Sequence, residues 1–335
     1  MSLVLLLGLL AGLSGCASQN VPNLQRYEFA RIEMAIPFRV VLYAPSSIEA
    51  SNAALAAFAR IHELNGILSD YDSDSELSRL SLTSGRGTEV KVSDDLWNVL
   101  WKAQEISRVS EGAFDVTVGP IVNLWRKARR ENKLPPSDLL AQTLARVGYT
   151  NLVLNARAHT AKLLHAEMRL DVGGIGKGYA LDQALKVLNS HGLSRALVTG
   201  GGDMAVGDPP PGKPGWRIEL PPLDVTNAPP AQFLVLRRSG FATSGDLFQR
   251  LEIDGKRYSH IVDPRTGIGL TDHSLVNIVA GDATTADALS KVVSVQGPSR
   301  GFEIAEKKDA AARVIRKPRD QIEAAETPRF RRFYE

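Results

Sequence analysis

The stretch Asp171-Val-Gly-Gly-Ile-Gly-Lys-Gly-Tyr-Ala-Leu-Asp182 places four glycines between two apolar segments. Strand-like sequence from Leu163 to Leu170 precedes it, and apolar residues at helical spacing from Ala180 to Leu188 follow it. Glycines at a strand-to-helix turn let the backbone approach a ligand closely, and the first N–H groups of a helix can meet an anion. The stretch therefore has the properties of a phosphate-binding turn.

Two common phosphate-binding loops do not match this stretch. A P-loop needs a serine or threonine after its lysine, and Lys177 is followed by Gly178. The dinucleotide fingerprint needs G-x-G-x-x-G, whereas the spacing here is G-x-G-x-G. The residues alone leave two interpretations open, a phosphate-binding loop of another type and a tight turn without a ligand.

Six further segments carry short runs of glycine, aspartate and hydroxyl residues. They are Leu68-Ser-Asp-Tyr-Asp-Ser-Asp-Ser-Glu-Leu-Ser78, Gly112-Ala-Phe-Asp-Val-Thr-Val-Gly-Pro120, Gly200-Gly-Gly-Asp-Met204, Ala242-Thr-Ser-Gly-Asp246, Tyr258-Ser-His-Ile-Val-Asp-Pro-Arg-Thr-Gly267 and Ala286-Asp-Ala-Leu289. The glycine-rich loop resembles the pattern D-[LV]-G-G-I-[AG]-K-G-Y-A-x-D of the ApbE family of FAD:protein FMN transferases. Together with the six segments, it makes most of residues 30–300 similar to that family.

The fold class follows from the mixture of strand and helix signals. The pair Asp254-Gly255 predicts a type I′ hairpin, and the helices do not alternate regularly with strands. This pattern favours one α+β domain over a doubly wound sheet. The resemblance implies a single ApbE-like domain over residues 28–315, with mixed or antiparallel sheets and flanking helices around an FAD cleft.

Local patterns predict several elements. Residues 28–44 alternate as one half-buried strand, and Ser46-Ser47 begins a helix that ends near residue 68. Ser93 caps a second helix that stops near residue 112, and residues 283–294 form another. A short strand is expected before Gly119-Pro120. The basic residues 125–137 are expected to form a solvated loop or helix end.

The resemblance also implies which residues hold the flavin. The positioning residues are Met34, Tyr71, Ala113, Phe114, Asp115, Asp171 and Ile261. Lys177 is expected to meet the pyrophosphate charge, and His260 is the candidate base. Alternatives remain for four of these residues. Met34 and Phe114 would suit any protein core, Tyr71 could lie in a solvated connector, and a lone histidine such as His260 is most often structural. The six histidines show no zinc-binding spacing.

A magnesium site is implied by the same resemblance. The family uses an aspartate, a threonine and a loop carbonyl, which correspond to Asp287, position 291 and Gly174. Position 291 is Lys291 in this chain. An ammonium cannot coordinate a metal, but it could occupy the cation's place beside Asp287 and the pyrophosphate.

The N-terminus predicts export and lipid anchoring. Residues 3–13 are apolar but too short to span a bilayer, and Leu13-Ser-Gly-Cys16 resembles a bacterial lipobox. We expect a signal peptide over residues 1–15, a lipid on Cys16, a tether over residues 16–27, and a location in the bacterial cell envelope facing the periplasm. The alternative is a buried helix with an incidental cysteine. Because Cys16 is the only cysteine, the chain has no internal disulfide.

Composition narrows the remaining possibilities. The 40 Lys and Arg residues nearly balance the 37 Asp and Glu residues, which gives no reason to expect nucleic acid as a partner. The basic residues 316–335 are expected to be an exposed tail. The implied reaction moves FMN from FAD to a Ser or Thr hydroxyl of an exported flavoprotein and releases AMP. Alternatives are FAD hydrolysis to FMN and AMP, an FAD-binding lipoprotein without turnover, and a structural lipoprotein without a ligand.

Overall fold

The structure is a computed structural model that describes residues 23–224, 230–245, 250–318 and 321–335. The predicted signal peptide and the lipid site at Cys16 lie outside the described residues, and so does Asp246 of the fourth segment.

The first half of the chain is mainly helical, with a hairpin in front. Its elements are β1 (Gln25–Glu33), β2 (Ile36–Ala44), α1 (Ser47–Leu68), α2 (Glu76–Ser81), β3 (Val90–Lys91), α3 (Asp94–Val109), α4 (Gly119–Glu131), α5 (Ser137–Leu144), β4 (Leu152–Asn155), β5 (Thr160–Leu163) and α6 (Gly176–Ser190).

The second half is mainly β-structure, with one long helix. Its elements are β6 (Ala196–Gly200), β7 (Asp203–Val206), β8 (Trp216–Glu219), β9 (Phe233–Leu236), β10 (Ser239–Gly245), β11 (Arg250–Ile253), β12 (Lys256–Ser259), β13 (Val262–Asp263), β14 (Ile268–Gly269), β15 (Ser274–Ala280), α7 (Ala283–Lys307), β16 (Ala311–Arg316) and β17 (Glu323–Glu326).

An antiparallel sheet forms the centre of the molecule. Within the described residues its eight strands run in the order β1-β2-β6-β7-β10-β15-β16-β17, and every neighbouring pair is antiparallel. Successive side chains of a strand point to opposite faces. In the central strands both faces are buried, so neighbouring residues enter different apolar clusters. Examples are Val40 and Val41, Val198 and Leu197, Ala242 and Phe241, and Ile278 and Val279.

One face of the sheet is covered by helices. α6 packs between α1 and α7, and α7 lies against β10 and β15. Both predicted N-caps are confirmed: Ser46 accepts a hydrogen bond from the N–H of Glu49, and Ser93 accepts one from the N–H of Leu96. This layer carries the glycine-rich loop at the start of α6 and Asp287 near the start of α7.

The other face is covered by the β8–β9 hairpin and the C-terminus. Phe330 is fully buried there with Trp216 and Leu234. β17 pairs with β16 along the sheet edge. The C-terminal segment expected to be an exposed tail is thus largely exposed in its described residues, but it is held against the sheet by β17 and by the buried Phe330.

The N-terminal hairpin corrects two further predictions. Residues 28–44 form two strands instead of one, joined at Met34 and Ala35, which have φ values of 48° and 61°. No glycine marks this turn, so the sequence hides it. β1 begins at Gln25, inside the predicted tether 16–27, because its backbone pairs with β2 as far as Ala44.

Residues 113–131 also differ from expectation. No strand precedes Gly119-Pro120; the pair instead begins α4, where proline is tolerated because the first helical N–H groups have no helical partner. Ile121, Trp125 and Ala128 form the buried stripe of this helix. The basic residues predicted to be solvated are thus mostly helical, and one of them lies at the candidate site.

The strand-like sequence expected from Leu163 to Leu170 is mostly not a strand, because β5 ends at Leu163 and the chain turns at Glu167, whose φ is 59°. Two other expectations of secondary structure are confirmed. Asp254 and Gly255 both have positive φ in the β11–β12 turn, and α7 covers residues 283–294 before it kinks at Gly297. The α+β class is confirmed, with every strand pair antiparallel within the described residues. In that part of the chain no helix is long and apolar enough to cross a membrane.

Candidate active site

The glycines of the central loop serve close packing. None of the four has a φ in the left-handed region. A methyl group at Gly174 would lie 3.2 Å from Phe114 Cε2 and 3.4 Å from Lys291 Cγ. A methyl group at Gly178 would press against the carbonyl oxygen of Ala283 on α7. The loop therefore holds the start of α7 and the segment around Phe114 at van der Waals distance.

Two other residues of the same stretch also fix neighbouring helices. Asp182 accepts hydrogen bonds from the N–H groups of Ala283 and Thr284 at 2.9 and 2.8 Å, so it caps α7 from α6. Tyr179 donates its hydroxyl to Asp95 on α3 at 2.8 Å. Much of the stretch thus positions α7 relative to α6.

A cluster of four charges forms where α6, α7 and β7 meet. Lys177 Nζ lies 3.2 Å from Asp203 Oδ2 and 3.4 Å from Asp287 Oδ2. Lys291 Nζ lies 2.6 Å from Asp287 Oδ1. The two carboxylates are buried, whereas the side chains of Lys177 and Lys291 remain 26% and 18% exposed. Both lysine side chains are therefore partly exposed beside the glycine-rich loop.

The pKa shifts in this cluster follow from burial and charge. Burial alone would raise the pKa of Asp287, but Lys177 and Lys291 outweigh it and hold that pKa below its usual value. Burial would lower the pKa of Lys177, but Asp287 and Asp203 outweigh it and raise that pKa. Burial raises the pKa of Asp203, although Lys177 opposes the shift. Lys177 therefore stays charged.

The cluster does not fit the predicted magnesium site. Oδ1 of Asp287 accepts from Lys291, and Oδ2 accepts from the N–H of Gly178 at 3.1 Å and faces Lys177. Mg²⁺ requires oxygen ligands in near-octahedral geometry, and an ammonium offers only donors. Within the described residues no group of three or more His, Cys, Asp or Glu could hold a metal. Lys291 therefore occupies, beside Asp287, the position that the resemblance gives to a metal ligand, and its ammonium cannot itself coordinate a metal.

A second charged group surrounds Asp171. Its Oδ1 accepts from the N–H of Gly173 at 2.8 Å, and its Oδ2 accepts from Arg126 Nη2 at 3.1 Å. The other arm of Arg126 bonds Asp70. Arg126 on α4 thus joins the central loop to the polar loop after α1.

Arg126 also supports the predicted flavin contact Tyr71. Its guanidinium carbon lies 4.2 Å from the centre of the Tyr71 ring, and Tyr71 is 79% exposed. A guanidinium over an aromatic face is favourable and orients the ring. Burial and the neighbouring Asp70 raise the pKa of Asp171 despite the opposing effect of Arg126.

The predicted contacts at residues 113–115 are buried. Phe114 packs in the main core and touches the loop at Gly174. The Oδ1 atom of Asp115 accepts from both the N–H and the hydroxyl of Thr117 at 2.7 Å. Burial raises the pKa of Asp115 to about 6. Asp115 therefore stabilises its own turn, and Ala113 is buried beside it.

Met34 lies in the turn of the N-terminal hairpin and packs against the main core, and its role as a flavin contact stays a prediction. Gly201, in the second glycine-rich bend, has a φ of 61°. A methyl group there would lie 3.0 Å from Ile36 and 3.5 Å from Lys177 Cε. The Met34–Ala35 turn therefore lies close to the bend that borders Lys177.

His260 and Ile261 follow β12 at the edge of the β13–β14 hairpin. His260 is half-buried and Ile261 is buried, with its N–H donating to Ser259 Oγ at 3.1 Å. Trp125 donates its indole N–H to Gly267 at 2.8 Å, which ties this hairpin to α4. The hairpin is therefore attached to the helix that carries Arg126, while the roles of His260 and Ile261 stay predictions.

Comparison with known proteins identifies the family. Residues 34–315 match the ApbE family. The chain belongs to the ApbE family.

Named ApbE relatives cover most of the chain. It is 34% identical to the FAD:protein FMN transferase of Haemophilus influenzae over 264 residues, which are 77% of this chain and 76% of the relative. It is 30% identical to the FAD:protein FMN transferase of Klebsiella pneumoniae, with 98% and 96% of the two chains covered.

Solved structures of the family share the fold. The flavin transferase ApbE of Vibrio cholerae superposes with a TM-score of 0.84 at 27% identity, covering 92% of this chain and 99% of that one. The apo flavinyl transferase ApbE of Pseudomonas stutzeri gives 0.81 at 25% identity, covering 93% and 97%. The predicted membership of the ApbE family is confirmed.

The sequence of this ApbE protein did not identify two residues of the site, Asp203 and Arg126. Asp203 was visible only as the end of a glycine-rich bend, and Arg126 only as one of several basic residues. A usable signal existed for Arg126. Gly119-Pro120 can begin a helix, and Ile121, Trp125 and Ala128 continue it at helical spacing with Arg126 off the buried stripe.

Proposed function

We propose that this chain is an FAD:protein FMN transferase. It attaches FMN from FAD to a Ser or Thr hydroxyl of an exported flavoprotein and releases AMP. The observation that carries the proposal is the pair of partly exposed lysine side chains, Lys177 and Lys291, at the glycine-rich loop of a chain whose relatives are named as transferases. Two cations at such a loop suit a pyrophosphate.

The transfer is a substitution at phosphorus. The acceptor hydroxyl oxygen attacks the phosphorus on the FMN side of the pyrophosphate, and the bond from that phosphorus to the bridging oxygen breaks. AMP leaves with the bridging oxygen, and the hydroxyl proton passes to a base, for which we propose His260. Such a step depends mainly on positioning and on charge compensation, which Lys177 and Lys291 provide.

The flavin would be positioned by the two groups that flank the loop. Tyr71, held by Arg126, offers an exposed ring for the isoalloxazine. Asp171 fixes the loop through Gly173 and holds Arg126. Met34 and Ile261 would complete the contacts from the two hairpins. Magnesium is not part of this proposal, because the contacts of Asp287 do not fit it.

Product analysis separates this function from its rivals. The full chain in detergent is incubated with FAD and a threonine-containing acceptor peptide. Transfer yields labelled peptide and AMP in equal amounts. AMP with free FMN and unlabelled peptide would identify hydrolysis instead, and intact bound FAD would identify binding without turnover.

His260→Ala is expected to slow single-turnover transfer without weakening FAD binding, and an unchanged rate would remove His260 as the base.

We also propose that the enzyme acts at the bacterial cell envelope, lipid-anchored through Cys16 and facing the periplasm. The support is the apolar stretch at residues 3–13 followed by the lipobox-like Leu13-Ser-Gly-Cys16. Wild type is expected in the membrane fraction and to incorporate labelled palmitate. Cys16→Ser should remove both properties, and membrane-bound Cys16→Ser would contradict the anchor.

A further inference from the structure

Both carboxylate oxygens of Asp287 are occupied by groups of this chain. Oδ1 accepts from Lys291 Nζ at 2.6 Å, and Oδ2 accepts from Gly178 N at 3.1 Å with Lys177 Nζ at 3.4 Å. Asp287 itself is completely buried. A metal ion could bind here only by displacing an ammonium from a buried carboxylate, which would leave that ammonium without its partner.

Lys291 reaches Asp287 along the glycine-rich loop. Its Cγ and Cε lie 3.4 and 3.8 Å from the position that a methyl group on Gly174 would take. Its ammonium also donates to Ser290 Oγ at 3.1 Å. The side chain therefore lies in a defined position beside the loop, with 18% of its surface open.

The donor count leaves room for a ligand. An ammonium has three N–H donors. In the described contacts Lys291 uses two of them, on Asp287 and Ser290. Lys177 donates to the Gly173 carbonyl and to Asp287, and its Nζ forms an ion pair with Asp203 at 3.2 Å. The third N–H of Lys291 is available to a phosphate oxygen.

We propose that Lys291 takes the place of a divalent cation in this chain, so that the site binds the FAD pyrophosphate and transfers FMN without a metal. This inference rests on the proposed transferase function. Lys291 and Lys177 supply two positive charges, one on each side of the Asp287 carboxylate. They compensate the charge of the pyrophosphate and of the AMP that leaves.

The test compares wild type with Lys291→Thr, using the EDTA-treated full chain in detergent. Lys307→Thr is the matched control, because Lys307 is an exposed lysine on the same helix. FAD binding is followed by flavin fluorescence, Mg²⁺ binding by calorimetry, and transfer by the mass of a threonine peptide.

Wild type and Lys307→Thr should bind FAD equally well in EDTA and in millimolar Mg²⁺, and should show no Mg²⁺ binding. Lys291→Thr should bind FAD about tenfold or more weakly in EDTA, because a charge-assisted contact is lost. Mg²⁺ should bind to this variant and restore its FAD affinity and transfer. Lys291→Met, which lacks both a charge and an oxygen, should weaken FAD binding without a response to Mg²⁺.

Two results would overturn the inference. One is wild-type FAD binding or transfer that falls in EDTA and recovers with Mg²⁺. The other is FAD binding by both Lys291 variants in EDTA that equals wild type. Because the binding measurements need no turnover, they test Lys291 independently of the transferase. If the FAD and Mg²⁺ binding results are as expected but no condition gives labelled peptide, the transferase proposal fails. The inference that Lys291 replaces the cation in FAD binding then still holds.

Discussion

The backbone N–H of Gly178 on α6 donates a hydrogen bond to the Asp287 carboxylate on α7 at 3.1 Å. This bond forms because the two helices touch where Gly178 has no side chain. The glycine-rich stretch and the aspartate of the later segment, 109 residues apart, therefore belong to one structure. The glycine spacing that resembles a phosphate loop serves helix packing as well.

Gly178→Ala should separate α6 from α7. The new methyl group would lie 2.9 Å from Asp287 Cβ and even closer to the Ala283 carbonyl oxygen. Overpacking of this kind costs about 1–3 kcal/mol in unfolding free energy. We also expect weaker FAD binding, because Asp287 and the two lysines shift. Denaturant unfolding and a flavin titration measure both effects.

Gly66→Ala is the control for that change. Gly66 is an exposed helical glycine of α1 with no neighbour within 4 Å of the added methyl group. The substitution should stabilise the protein by up to about 1 kcal/mol through helix propensity. Equal stability of the two alanine variants would contradict the packing role of Gly178.

Arg126→Ala should reduce both stability and FAD affinity. It leaves Asp171 buried without its cation, which costs about 3 kcal/mol. It also frees Tyr71 from its stacking partner. Arg126→Lys should not rescue the loss, because a lysine cannot bridge two carboxylates with a planar fork. Denaturant unfolding and FAD titration give the two readouts.

Arg130→Lys, an exposed position on the same helix, should behave as wild type. Asp171→Asn in the Arg126→Ala background should recover part of the lost stability, because the uncompensated charge is gone. If the double variant were no more stable than Arg126→Ala, the loss of the Arg126–Asp171 ion pair would not be the cause of the destabilisation.

Asp115 should make stability depend on pH. Its pKa is raised from 3.8 to about 6 by burial, so the folded state binds its proton more tightly than the unfolded chain does. Its stabilising contribution is therefore present below pH 4 and lost as pH rises through 6, an effect of about 2–3 kcal/mol. Asp115→Asn should remove this part of the slope.

Unfolding free energies between pH 4 and 7 test this prediction. Asp254→Asn is the control, since Asp254 lies exposed in a hairpin turn. Identical pH slopes for wild type and Asp115→Asn would show that the buried carboxyl does not titrate as described.

Phe330→Ala should destabilise the whole domain. The ring is fully buried in the apolar cluster on the second face of the sheet, and such truncations cost about 3–5 kcal/mol. Thermal and denaturant unfolding should show the loss in a single transition. The exposed neighbour Arg332→Ala should have little effect. If Phe330→Ala and Arg332→Ala had the same free energy of unfolding, Phe330 would not be packed against the sheet as described.

Elements with local signals were predictable from the sequence. α1 and α3 have serine caps that precede apolar residues at helical spacing, and the β11–β12 turn contains Asp254-Gly255. The turn at Met34-Ala35 has no such marker, because two residues other than glycine adopt positive φ there. The register of β1 with β2, in which Glu33 pairs with Ile36, leaves these two residues to form the turn.

The site was predictable only in part, because some of its contacts join residues that are far apart in the sequence. Lys177 and Asp287 stand in distinctive segments, and the structure brings them together. Arg126 lies in a helix whose other face is basic, so its ion pairs depend on residues 45 and 56 positions away. Phe330 lies among arginines, and only the sheet behind it shows that it is buried. Long-range contacts of this kind leave no local pattern.

The most direct test of the account is the mass of an acceptor peptide after incubation with FAD and the full chain. A threonine peptide should gain the mass of FMN less one water, with an equal amount of AMP released. The same peptide with valine in place of threonine should gain nothing. FAD that binds tightly but leaves both peptides unchanged, with and without Mg²⁺, would contradict the transferase.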